Sequence, residues 1–402
     1  MRLRCPSRAL VVLSSVLIPL SLARPAAAQQ PSPSPAPSPS ASPEPVAPPP
    51  ATTEVPPGAE GGGGPSGPLP VYGGGAASSK VFNPDIAVIG DFLGAIGKND
   101  SPFATPSLEL HEAEAAFQAI VDPYARADFF LVFSPEEVGV EEGFITFTSL
   151  PASFLLKVGK MRASFGKVNQ MHNHVLPWTD RPLVTQDLVG GEEGISDAGL
   201  SLSKLFPNEV LFVEAIGEVY RGESPDLFRA PQRGDLTYVG RLRGYRDLTE
   251  STNVDFGGSF ARGTSLDGLH GLHTRLYGAD VALRWRPLRR AIYHRFLART
   301  ELVWSRRDFA SGDVARAFGL YASGDYQFGR RWFAGVRLDR SDRADDPSLV
   351  DKGISGTLTY WPSEFSQIRG QYRHVSYGEG IKANELLFQF LFSIGAHGAH
   401  TF

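Results

Sequence analysis

Leu276-Tyr277-Gly278-Ala279-Asp280-Val281-Ala282-Leu283-Arg284-Trp285-Arg286 changes character at alternate residues. Tyr277, Ala279, Val281, Leu283 and Trp285 form one set, and Gly278, Asp280, Arg284 and Arg286 form the other. In a strand, successive side chains leave opposite faces, so these two sets separate cleanly; in a helix they would mix around the axis. The segment therefore reads as a strand with one apolar face and one charged face.

The same pattern extends outward in both directions. Around residues 317–328, Phe318, Leu320, Ala322, Tyr326 and Phe328 oppose Tyr321, Ser323, Asp325 and Gln327. Trp332, Ala334, Val336 and Leu338 oppose Arg337 and Asp339, and Ala125, Ala127, Phe129, Leu131 and Phe133 oppose Arg126 and Asp128. The connections differ in length in a regular way. Short turns fall at Asp122-Pro123, Leu150-Pro151-Ala152, Phe206-Pro207-Asn208, Leu248-Thr249-Glu250, Gly329-Arg330-Arg331 and Trp361-Pro362-Ser363, with a slightly longer one after Pro287. Proline suits such corners because it fixes φ and cannot donate to a sheet ladder. Between them lie mostly longer polar stretches, of which residues 165–193 are the longest.

Short turns on one side and long loops on the other is the plan of an outer-membrane barrel. Threading strands through these connections predicts an all-β, antiparallel, up-and-down transmembrane barrel of about 16 strands over residues 81–402. A soluble β-sandwich also alternates, but its outward face should be polar. Here the apolar face is rich in aromatics, and Trp285, Trp304, Trp332, Trp361, Tyr124, Tyr220, Tyr326 and Tyr360 fall at expected strand ends, as in an interfacial girdle. Leu386, Phe388, Phe390, Phe392 and Ile394 give the last segment an apolar face, and Phe402 ends the chain. A terminal phenylalanine on an amphipathic last strand is similar to the signal read by barrel-assembly machinery.

The N-terminal quarter is different. Arg2, Arg4 and Arg8 precede an apolar stretch over 9–22, and Ala26-Ala27-Ala28 offers a small-residue cleavage site, so residues 1–28 read as a signal peptide. Cys5 is the only cysteine and lies ahead of the apolar stretch, where it cannot be a lipid attachment site after cleavage. The mature chain would then lack disulfides and thiolate chemistry. Losing Arg2, Arg4, Arg8 and Arg24 would move the formal charge from −4 to −8, an acidity that argues against nucleic acid as a partner. Residues 29–80 are rich in Pro, Ser and Gly and cannot build a core, so they read as a disordered, partly polyproline II spacer in the periplasm. Contact with peptidoglycan would suit such a tract.

Several local stretches carry a family resemblance. They are Phe82-Asn83-Pro84-Asp85-Ile86, Asp122-Pro123-Tyr124-Ala125, Glu141-Glu142-Gly143-Phe144, Lys157-Val158-Gly159-Lys160, Ser164-Phe165-Gly166-Lys167-Val168-Asn169, His172-Asn173-His174 and the closing 395–402. Together they resemble porin-like outer-membrane proteins, a set that includes proteins labelled zinc-regulated outer-membrane receptors. The resemblance implies an outer-membrane location among lipid and lipopolysaccharide and, by analogy with general porins, a homotrimer. A plug-bearing receptor needs about 22 strands and a separate folded domain in the lumen. Too few residues separate the spacer from the first strand for that, so the porin mechanism is the expectation.

In general porins the third long loop enters the lumen, and residues 165–193 are the third long connection here. Asp180, Asp187, Glu192 and Glu193 make it acidic, with Lys167 and Arg181 as exceptions. Lys160 and Arg162 are alternate residues on the preceding strand and are expected to share a face. Arg126, Arg241, Arg243, Arg284, Arg286, Arg337, Arg369 and Arg373 are further candidates for a basic lumen wall. Acidic loop and basic wall would orient polar solutes and set ion preference, leaving cation against anion open. His172 and His174 are two apart and, with Asp180 or Asp187, have the chemistry to ligate zinc; they read equally well as surface polar residues. His397 and His400 are weaker candidates. No Gly-x-Ser-x-Gly elbow or Gly-rich phosphate loop occurs, so an enzyme is not expected. The competing expectation to a channel is a non-conducting binding barrel.

Overall fold

The computed structural model describes residues 84–395, except 102–104, 135–137 and 270. The expected signal peptide, the spacer, Cys5, His397, His400 and Phe402 lie outside the described residues. Sixteen antiparallel strands close into one barrel. They are β1 (Asp85–Asn99), β2 (Leu108–Asp122), β3 (Ala125–Phe133), β4 (Val138–Phe147) and β5 (Phe154–Arg162). β6 (Ser196–Phe206), β7 (Phe212–Tyr220), β8 (Thr237–Thr249), β9 (Thr252–Thr264) and β10 (His273–Trp285) follow. β11 (Arg295–Asp308), β12 (Val314–Gly329), β13 (Trp332–Asp342), β14 (Val350–Ser363), β15 (Ser366–Ser376) and β16 (Lys382–Gly395) complete the circle. Each strand pairs with its sequence neighbours, and β16 pairs back onto β1 from Val88↔Ile394 to Asn99↔Ala383. Closure satisfies every strand edge, which is what a sheet surrounded by hydrocarbon requires.

The alternation read from the sequence maps onto inside and outside. In β16, Phe388, Phe390 and Phe392 each keep 42% of their surface exposed, while Glu385, Gln389 and Ser393 between them are buried. A water-soluble protein would bury such a ladder at roughly 25 cal/mol per Å² of apolar area. Exposed large apolar side chains on fifteen of the sixteen strands, all but β5, mark a lipid-facing wall. Among the described residues no helix is long and apolar enough to cross a membrane; the strands do so.

Two aromatic belts ring this wall. Toward the long-loop end, Phe260 and Tyr277 have ring centroids 5.3 Å apart, as do Trp304 and Phe318. Toward the short-turn end, Trp332 meets Tyr360 at 4.5 Å and Phe328 at 6.4 Å. Phe318 and Phe328 bracket ten steps of β12, which at strand rise and usual barrel tilt separates the belts by about 25 Å, the height of a lipid-facing band. Tyr220 corrects the sequence reading. It is 1% exposed and belongs to the interior cluster, because it shares the inward face of β7 with Glu218 two residues before it.

The short turns are held by local side chains. Asp122 accepts the Tyr124 amide at 2.7 Å, and Asn208 accepts the Val210 and Leu211 amides at 3.0 and 2.8 Å. Residues 163–195, between β5 and β6, are the longest connection and contain the helix α1 (Leu183–Leu188).

Candidate functional site: the inward-folded segment and the charged walls

Residues 163–195 do not stand above the barrel. Phe165, Val168, Leu176, Trp178, Val184 and Leu188 are buried against Val239, Ala261, Leu276, Val303, Ala317 and Tyr321, which are inward positions of β8–β12. Three glycines on the inward faces leave room for this packing. A Cβ at Gly278 would come within 3.1 Å of the Phe165 ring, one at Gly319 within 2.7 Å of Val184, and one at Gly353 within 3.4 Å of Leu183. Trp178, 1% exposed, meets Tyr321 edge-on at 5.2 Å.

The base of the segment is tied by Asn169. Its Nδ2 donates to the carbonyls of Ala163 and Ile195 at 2.9 and 3.1 Å, and its Oδ1 accepts the Ile195 amide at 2.9 Å. Gly166 has φ +60, and a Cβ there would sit 2.4 Å from a Glu301 oxygen. Only glycine adopts this turn without strain. It aims the amides of Lys167 and Val168 at Glu301, at 2.8 and 2.9 Å. Ser164, through its amide and hydroxyl, donates to Glu218. The stretch 164–169, quoted above for its resemblance, is thus the hinge that directs the chain inward.

The charged side chains predicted from sequence separate into groups. Lys167 reaches Asp255 at 2.6 Å and Asp280 at 3.1 Å on β9 and β10. Asp180 accepts from Arg337 and Arg373, both at 3.0 Å, and from Gln371, while its own carbonyl takes a second Arg337 bond at 2.8 Å. Burial alone would raise the Asp180 carboxyl, but the two guanidiniums and Gln371 outweigh it and hold the group below the usual carboxylate range. Arg337 is 1% exposed, bonds Asp339 at 2.7 Å and lies 4.9 Å from the Trp178 ring. Arg181 is an internal staple, donating to Asn173 and to the carbonyls of Val168 and Met171. Burial, and secondarily Arg162, lowers it to about 10. Asp187 sits on α1, where burial and the nearby Asp351 push its carboxyl up to about 7. Glu192 and Glu193 point their carboxylates to solvent; their carbonyls accept Arg162 at 2.8 and 3.0 Å.

Lys160, two residues before Arg162 in the regular register of β5 with β6, has different surroundings from it. It pairs with Gly143 and Ala198, on the exterior face with Leu200, and its ammonium donates to the Val140 carbonyl at 2.6 Å. Arg162 closes the strand inside, bonded to Glu141 at 2.5 Å. The register shifts between Phe130 and Leu131, where β3 meets β4 at Glu141–Glu142. A bulge lets two consecutive residues serve the same side. Glu141 turns to Arg162 and Glu142 to His172.

His172 is clamped by carboxylates. Nδ1 lies 2.7 Å from Glu114 and Nε2 2.8 Å from Glu142, with Glu141 at 3.6 Å, and Phe130 presents its ring edgewise at 4.9 Å. Burial alone would lower the imidazole, but Glu114, Glu142 and Glu141 outweigh it and push it up to about 10. Glu114, His172 and His174 each offer one ligand atom within 4.8 Å of the others. Glu114 therefore takes the place that the sequence suggested for Asp180 or Asp187. An imidazolium donating from both nitrogens has no lone pair for zinc, so an ion must first displace that proton. Micromolar zinc at neutral pH is accordingly expected to leave thermal unfolding unchanged. A zinc-dependent rise that disappears in a His172→Ala, His174→Ala variant would show the trio holding the ion in spite of the proton.

The walls differ in composition. Glu112, Glu114, Glu141 and Glu142 cluster on β2 and β4, whereas on β10–β15 Arg284, Arg299, Arg337, Arg369 and Arg373 are interleaved with Asp280, Glu301, Asp325, Asp339 and Asp351. Sequence reasoning missed the first group. Its members sit on two strands, β2 and β4, each interrupted by its own register shift, and only pairing reveals their side. It also missed the docking wall, although apolar Val239, Ala261, Leu276 and Val303 at expected lumen positions were a legible sign of it.

A closed sixteen-strand barrel with one long connection folded inside defines the porin architecture. Solved structures agree on the fold. The anion-selective porin of Comamonas acidovorans matches with a TM-score of 0.55 at 10% identity, covering 78% of this chain and 99% of that one. The outer membrane channel DcaP of Acinetobacter baumannii gives 0.52 at 12%, covering 78% and 96%, and in-vitro folded OmpT of Vibrio cholerae gives 0.52 at 10%, covering 77% and 97%. No protein-family model matches. The chain belongs to the same family as a protein of Aquifex aeolicus (strain VF5), described as uncharacterized, with which it is 30% identical over 390 residues, spanning 81% of each.

Proposed function

We propose that this protein is a passive channel of the bacterial outer membrane, through which small hydrophilic solutes or ions diffuse past the inward-folded segment 163–195. The observation that carries this reading is the position of that segment inside a closed barrel, between a cluster of carboxylates on β2 and β4 and a wall of interleaved arginines and carboxylates on β10–β15. Charged groups fixed on opposing sides of an aqueous passage orient dipolar solutes and select among ions. Selectivity then follows from width and charge, with no bond made or broken. The long-loop end would face outward, and residues 29–80 would lie in the periplasm after removal of residues 1–28. Lipid and lipopolysaccharide would surround the belts, and barrel-assembly machinery would insert the chain.

Refolded protein in planar bilayers is expected to give discrete conductance steps of small size, because the segment occupies one side of the passage. Silence across many insertions of verified barrel would sink the channel reading. A homotrimer is proposed as well, OmpT of Vibrio cholerae having a trimer form; analytical ultracentrifugation in detergent checks it. The second reading is a binding barrel, favoured by the Glu114, His172 and His174 trio, with the zinc titration above as its test.

A further inference from the structure

Beneath the inward-folded segment, toward the short-turn end, lies a cavity of about 210 Å³. Pro177 roofs it, and its charged lining is five arginines, Arg284, Arg286, Arg295, Arg299 and Arg369, against the single carboxylate of Asp325. We propose that this cavity binds small multivalent oxyanions, of which pyrophosphate is the simplest probe. The proposal rests on the channel reading for its biological sense, but the binding it asserts stands on this geometry alone.

The bonding of four of these arginines supports an anion. Asp325 comes no nearer than 3.6 Å to Arg299. Arg284 approaches Asp255 at 3.6 Å, yet Asp255 is already held by Lys167 and Arg243, both at 2.6 Å. Arg369, 3% exposed, is oriented by neutral acceptors: Thr359 Oγ1 at 3.2 Å, the Trp178 carbonyl at 3.0 Å and Gln389 Oε1 at 2.7 Å. Arg295 donates to Gln327 Oε1 at 2.6 Å and lies 5.6 Å from the Phe333 ring. The lining thus carries a formal surplus of four positive charges, and neutral groups do much of the aiming. Guanidinium forks match the paired oxygens of phosphate and carboxylate, and a recess with low-dielectric walls concentrates their field. The volume lies below the roughly 300 Å³ at which drug-sized sites begin, so the ligand is small.

The test is calorimetric titration of pyrophosphate into the full chain, refolded in detergent, at low ionic strength. Saturable binding is expected, weakening as salt is raised. Arg284 and Arg286 stand at the rim, so an Arg284→Gln, Arg286→Gln variant should fold and bind at least about tenfold more weakly, the effect of losing two charge-assisted contacts. Lys382→Gln, an exposed change at the long-loop end, should bind as the parent does. Absence of saturable heat in the parent, or equal affinity in the double variant, overturns the proposal. A channel silent in bilayers that still binds pyrophosphate would instead sink the channel reading and leave the anion site standing.

Discussion

Asp180→Ala is expected to release the inward-folded segment and raise single-channel conductance severalfold. Asp180 is the one side chain of the segment that two wall guanidiniums share, from Arg337 and Arg373. Its removal strips one carboxylate partner from each, leaving Asp339 for Arg337 and Glu385 for Arg373. Breaking a buried charge pair from one side costs about 3–5 kcal/mol, because the remaining charge is left in low dielectric. The apolar docking of Trp178 and Leu183 opposes release, but both lie within a few residues of the lost anchor and share its fate. Asp180→Asn, which keeps hydrogen bonding and loses charge, should fall between the two. The folded pKa of Asp180 lies below its ordinary 3.8, so its contribution is complete at neutral pH and is lost as acid drives the group through its depressed value. Unchanged conductance in a verified Asp180→Ala barrel would mean that the apolar contacts, with Lys167 and His172, hold the segment without Asp180.

The second large effect belongs to His172. Its folded pKa is raised from 6.5 to about 10, so the clamp on Glu114 and Glu142 is complete below 6.5 and is lost as pH rises through about 10. A conductance step is expected in that alkaline window, together with new proteolytic nicking near Lys167. His172→Gln should show the released behaviour at neutral pH and no alkaline step. Its carboxylate neighbours would then face one another without a cation, at a cost of about 3–5 kcal/mol to the attachment. Lysines and tyrosines elsewhere also titrate above pH 9, so the comparison with His172→Gln decides the assignment. A step that survives in the variant belongs to some other group.

The barrel was legible because hydrocarbon on one side and polar interior on the other impose a period of two on every strand. Tyr277 and Val281 face outward and Asp280 inward, as the opening segment implied. The site was only half legible. Lys167, Asp180 and Arg337 were visible as charges, but their pairing depends on where a long connection falls across strands 88 to 193 positions away. Strict alternation does not foresee that Arg162, at the end of β5, is buried against Glu141 while Lys160 reaches the Val140 carbonyl. Glu114 could not have been chosen as the partner of His172 from spacing, since nothing local connects residues 58 apart.

The seam between β1 and β16 has a kinetic consequence. Gln389 donates to Asp91 across it at 2.9 Å, and the partners are 298 residues apart in the chain. Until that last strand arrives, both β1 and the growing margin present unpaired amides and carbonyls, a template for other chains. Contacts of such separation form late and slowly. Synthesis and closure are therefore distinct events for this chain, and the interval between them is when it is most exposed to aggregation. A version lacking 382–395 should remain in that interval indefinitely and accumulate as aggregate.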